Sequence, residues 1–122
     1  MNKSVKLKPR KVISVTIGGD VYELAQPTME TYPLMLQLTN ESNKNPKSVT
    51  PEYLKIYFDI VKVVLRYSLP ESSEADIKEF INQNSKEIFE NMHAFLGMEK
   101  QEFDDAVRTN KFLQENPTLK NQ

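Results

Sequence analysis

The sequence predicts an α+β domain, mostly helical, in which an N-terminal β-hairpin packs on a cluster of four or five helices. Three observations carry that expectation. A β-branched run from Val12 to Ile17 is followed by Gly18-Gly19-Asp20 and a second short run, Val21 to Ala25. From Thr50 to Ser68, apolar residues occupy most of the circumference of a helix. Beyond Pro70, serines precede short apolar stripes in the order expected of capped helices. With 122 residues the chain fits one domain, able to bury roughly two-thirds of the surface its unfolded form exposes. A basic arm is expected over residues 1–11, a globular body over 12–116 and a frayed tail over 117–122.

The first run alternates Val12, Ile13, Ser14, Val15, Thr16 and Ile17, the pattern of a strand. Glycine supplies the positive φ angles of a tight hairpin turn, so the two runs should pair. Ile13, Val15 and Ile17 then share one face, while Tyr22 and Leu24 share another. A hairpin of this size is not stable alone, so helices must cover it. Pro27 ends the second strand. Thr28 or Thr31 should cap a short helix carrying Leu34, Met35 and Leu38, with Pro33 in its first turn. Thr39 to Ser48 is polar and Asn-rich and reads as a surface loop.

Thr50-Pro51-Glu52 opens the strongest element, with a capping hydroxyl, a proline at the first helical position and an acid at the positive end of the dipole. It should stop near Ser68, before Pro70. Ser72 or Ser73 should cap a third helix with Ala75, Ile77, Phe80 and Ile81. Ser85 should start a fourth, whose stripe is Ile88, Phe89, Met92, Phe95 and Leu96 and which Gly97 ends. A weaker fifth helix carries Phe103, Ala106, Val107 and Leu113.

The helix from Pro51 to Ser68 is the most informative element. At about 100° per residue, Glu52, Lys55, Asp59, Lys62 and Arg66 fall on one strip about 80° wide. The apolar and aromatic residues cover an arc of about 220°, whereas an ordinary surface helix buries an arc of ~100° or somewhat more. Two readings follow. The helix is the hub of the fold, covered on nearly three sides, or part of its arc stays open for a partner's apolar helix. Of its two flanks, Leu54, Phe58 and Leu65 are purely apolar and suit a dry core. The other, with Tyr53, Ile56, Ile60, Val63 and Tyr67, pairs apolar bodies with tyrosine hydroxyls that tolerate a half-wet position. Those five residues are the expected partner-binding face, and a free chain exposing them is expected to form homo-oligomers through the same surface.

Composition excludes several classes of chemistry. Without cysteine there are no disulfides, thiolate nucleophiles, iron–sulfur clusters or cysteine zinc sites. No apolar run approaches the ~18–20 residues that span a bilayer, and the basic start lacks the apolar core of a signal peptide, so a soluble, cytosolic chain without membrane contact is expected. Five basic residues and no acid fall within Met1 to Lys11, while Glu71 to Asp105 holds ten acids against three lysines. The basic head has no interleaved aromatic, and basic charge does not extend over the domain, so it reads as a solvated arm and nucleic acid is not an expected partner.

Catalytic signals are also missing. Glu90 and His93 form one Glu-x-x-His pair, but a carboxylate-bridged di-iron site needs two, and His93 is the one histidine. Gly18-Gly19 is too short for a phosphate cradle, no serine lies in G-x-S-x-G, and Asp104-Asp105 sits on a polar stretch. The five methionines suit an adaptable core. No cofactor, no metal and no enzymatic activity is expected.

The order of elements carries a family resemblance. A basic start leads into the hairpin V-T-I-G-G-D-V-Y-E-L, then Q-P-T-M-E-T-Y-P-L-M-L-Q-L, then acidic helices that include S-K-E-I-F-E-N-M. This resembles the tail assembly chaperones of long-tailed bacteriophages of Gram-positive hosts, most closely over Val15 to Leu38. The resemblance implies a non-enzymatic protein of the host cell cytoplasm, absent from the finished virion, that coats the helical tape measure protein and meets other tail proteins while the tail tube polymerises. Members often have a longer form made by ribosomal frameshifting, and the Lys120-Asn121 codons permit a slippery run. The alternatives are a structural virion component, such as a head–tail connector or tail completion protein, and a small nucleic-acid-binding regulator acting through the basic head.

Overall fold

The computed structural model describes residues 12–115, with side chains over 12–107. The arm over 1–11, the tail over 117–122 and the Leu113 side chain lie outside the described residues. The chain is α+β and mostly α, a two-stranded antiparallel hairpin against helices, as the sequence predicts.

Strands β1 (Ile13–Ile17) and β2 (Asp20–Leu24) pair through a two-residue turn in which Gly18 and Gly19 have φ of 61° and 86°. Two consecutive positive φ angles match the strands' right-handed twist, and glycine adopts them without strain. The register sets Ile13 opposite Leu24 and Val15 opposite Tyr22. Ile13, Val15, Ile17, Tyr22 and Leu24 therefore share a single inward face, not the two faces expected, because cross-strand partners project to the same side of a sheet.

Helix α1 (Tyr32–Lys44) begins at Thr31, whose hydroxyl donates to the Thr28 carbonyl at 2.7 Å and so caps nothing. The helix runs well into the stretch expected to be a loop. Its polar last turns are held from outside: the Glu41 carboxylate accepts from the Thr50 hydroxyl at 3.0 Å and from the Asn45 amide. Helix α2 (Pro51–Ser68) has the expected ends, with the Thr50 hydroxyl accepting from Tyr53 N–H at 3.1 Å. Helix α3 (Glu74–Gln83) is capped by Ser73.

The expected fourth helix is two pieces, α4 (Ser85–Glu90) and α5 (Met92–Phe95). Asn84 and Asn91 each direct backbone N–H and side-chain amide to the carbonyl four residues back, Phe80 and Glu87 respectively. That side-chain bond competes with continuation of the ladder and ends a helix at each asparagine. Gly97 closes α5 with φ 77°, its N–H bonded to Ala94 and the next N–H, Met98, to His93, the paired bonds of a Schellman motif. Helix α6 spans Lys100–Glu115. The described helices thus number six, against the four or five expected.

The core lies around α2, where Tyr57, Ile60, Val61, Val63, Val64 and Leu65 are buried. Strand β2 and helices α1, α3 and α5 all pack on α2. The hairpin is tied in by Ala25 N–H donating to the Ser68 hydroxyl at 2.8 Å and Gly18 N–H donating to the Glu87 carboxylate at 3.0 Å. An edge-to-face pair of Tyr22 with Phe80, centroids 5.2 Å apart, seats it on α3.

Candidate partner-docking groove

The wide apolar arc of α2 is covered unevenly. Helix α1 runs antiparallel along the flank that the sequence marks as the partner face. At one end Glu41 of α1 holds Thr50, and at the other the Tyr67 hydroxyl donates to the Glu30 carboxylate just ahead of α1. The Arg66 guanidinium stands 3.8 Å from the same carboxylate. Beneath α1, Ile60 is 0% and Val63 8% exposed, and Tyr53 and Ile56 are half-buried. The five residues expected to meet a partner do fall along one flank, but the chain's own α1 occupies it. Only Tyr67 is exposed, and its hydroxyl is already bonded, which with the nearby Glu30 charge raises its ionisation above the ordinary phenol value. Tyr53 reaches Met92 Sδ at 3.2 Å and lines a hollow of about 270 Å³ with Leu38, Leu96 and Phe103.

The opposite flank behaves in the reverse way. Leu54, Phe58 and Leu65 lie close to one line of the helix. Leu65, in the C-terminal half, is 1% exposed, whereas Leu54 and Phe58, in the N-terminal half, are only partly covered. Two hollows, of about 290 and 420 Å³, meet there and share Phe58 and Ser85. Their apolar floor is Leu54 and Phe58 from α2, Ile81 from α3 and Phe89 from α4, with Val49 at one end. Phe89 is 38% and Val49 54% exposed, although the stripe in the sequence assigns Phe89 to the core. Ile88, Met92 and Phe95 turn inward, and Phe89, about 100° from Ile88 around the helix, is left outside.

Buried Tyr57 positions this floor. Its hydroxyl donates to the Ile88 carbonyl at 2.7 Å, holding α4 against α2. Its ring meets Phe58 edge-on at 5.3 Å and Phe89 at 6.5 Å. Both phenyl groups thus stand on one buried ring, and burial pushes the Tyr57 hydroxyl far above the usual phenol range. From Leu54 to Lys62 the groove follows α2 for about 12 Å, a little over two helical turns.

No family model matches the chain, and neither a curated protein nor a solved structure is significantly similar to it. Among the described residues no cluster of three or more metal-ligating side chains occurs, and no helix is long and apolar enough to cross a membrane. His93 is half-buried beside Phe103, ring centroids 6.5 Å apart. The sequence signal that could have set Phe89 apart is its position about 100° from Ile88 on the helix, off the line that Met92 and Phe95 continue.

Proposed function

We propose that the chain is a non-enzymatic assembly chaperone, of the kind that coats a phage tape measure protein, and that it holds an apolar helical segment of its partner in the groove at Phe58. The observation that carries this reading is the open sector of α2: two aromatic rings and Leu54 form an apolar floor that the rest of the described chain leaves partly uncovered. A shallow, apolar channel of about two turns suits the i, i+3, i+4 stripe of a partner helix. The likeness of Val15 to Leu38 to tail assembly chaperones supports the choice of partner. The groove takes over the role expected of Tyr53, Ile56, Ile60, Val63 and Tyr67.

Co-expression with the tape measure protein tests the reading. The double substitution Phe58→Ser and Phe89→Ser should abolish co-purification while circular dichroism keeps the wild-type helicity. Mass spectrometry of purified particles should find the chain missing. Stoichiometric presence in particles would instead indicate a structural virion component, and intact co-purification of the double variant would place the partner elsewhere.

A further inference from the structure

The groove is bordered mainly by basic residues. Lys55 and Lys62 of α2, Lys78 of α3 and Lys86 of α4 line the two hollows, against a single acid, Asp59. These four lysines come from three helices that pack around Phe58, so the fold, not a run in the sequence, gathers them. None of them has a carboxylate of the described residues within ion-pair distance. The setting is unusual for this chain, whose net charge is −1 and whose segment from Glu71 to Asp105 is strongly acidic.

We infer that the groove selects a partner helix whose apolar stripe is flanked by glutamates or aspartates, an inference that rests on the docking role proposed above. The apolar floor takes the stripe, and the lysines on both sides meet the flanking carboxylates. Such charges at the rim of an interface act mainly on encounter rate and on rejection of wrong partners, and they are sensitive to salt. The ammonium groups need not desolvate, because long lysine stems cover apolar surface while their heads stay in water. The same rim disfavours basic amphipathic helices through like-charge repulsion. An apolar floor distinguishes this site from a phosphate-tracking surface, where charge alone binds.

The experiment uses the full chain and two synthetic helices of about five turns with identical leucine stripes, one flanked by glutamates and one by lysines. Fluorescence anisotropy should show the glutamate peptide binding at least about tenfold tighter at low salt, with the difference shrinking as salt rises. Lys62→Glu with Lys78→Glu, both at the groove edge, should reverse the preference at unchanged helicity. Equal affinity for the two peptides, or preference for the lysine peptide, overturns the inference but leaves the docking reading standing. Binding of neither peptide, with the tape measure protein still co-purifying, overturns the inference and the groove together and spares the chaperone reading. Displacement of the peptide by a single-stranded oligonucleotide would overturn it in favour of nucleic acid. Sedimentation of the free chain as an oligomer that Phe58→Ser dissociates would overturn it in favour of a second copy.

Discussion

The Tyr57 ring is fully buried, yet its hydroxyl is satisfied by the Ile88 carbonyl at 2.7 Å. Replacing Tyr57 with Phe keeps the ring and strands that acceptor, a loss of about 1–2 kcal/mol readable in urea unfolding. The same group sets a pH dependence. Its proton is held more tightly in the folded chain than in the unfolded one, where a tyrosine ionises near ~10. Stability is untouched by this group below about pH 10 and falls as pH rises beyond it, by up to about 1.4 kcal/mol per unit. Tyr57→Phe should flatten that alkaline decline. Gly97 is the second residue on which local structure turns. A Cβ there would meet the Pro27 ring at 2.6 Å, and φ of 77° disfavours any side chain. Gly97→Ala should therefore cost about 1–3 kcal/mol and lower Tm by several degrees in calorimetry.

At the scale of elements, α2 is the piece on which the others are placed. Val64, in its C-terminal half, is 2% exposed, and a carboxylate there would be buried without a partner. Val64→Asp should cost several kcal/mol and leave the chain unfolded or aggregated by circular dichroism and gel filtration. A soluble, helical Val64→Asp protein would mean that this side of α2 faces water. The ends of α2 were legible because Thr50, Pro51 and Glu52 act on their own backbone, and the hairpin turn because Gly18 and Gly19 need no distant partner. The last turns of α1 were not legible. Thr39 to Lys44 carries no apolar periodicity, and its helix is secured by Glu41 reaching across to Thr50. The break at Asn91 was hidden by an unbroken apolar stripe, because a side-chain bond to Glu87 leaves no mark in hydrophobic spacing. The apolar arc of α2 was plain, but not which edge stays open. Spacing along one helix cannot say where α1 will lie, and α1 covers the tyrosine-bearing flank while Phe58 is left at the margin.

At the scale of the whole molecule, the described residues form a hub helix packed by β2, α1, α3 and α5, with one sector partly uncovered where two phenyl rings stand on Tyr57. Its stability and its binding surface are thus joined: the bond that fastens α4 to α2 also sets Phe58 and Phe89 in place. Other apolar side chains are exposed, including Met29, Tyr32 and Leu36 around the start of α1. What distinguishes the Phe58 sector is that its apolar floor is concave and edged by four lysines against one acid, Asp59. The most direct measurement is an amide chemical-shift titration of the labelled chain with the glutamate-flanked leucine peptide. Shifts concentrated at Leu54, Phe58, Ile81, Ser85 and Phe89, with little change at Tyr53, Ile56 and Tyr67, are the predicted result. Shifts concentrated along Tyr53, Ile56 and Tyr67, with the Phe58 sector unmoved, would contradict it.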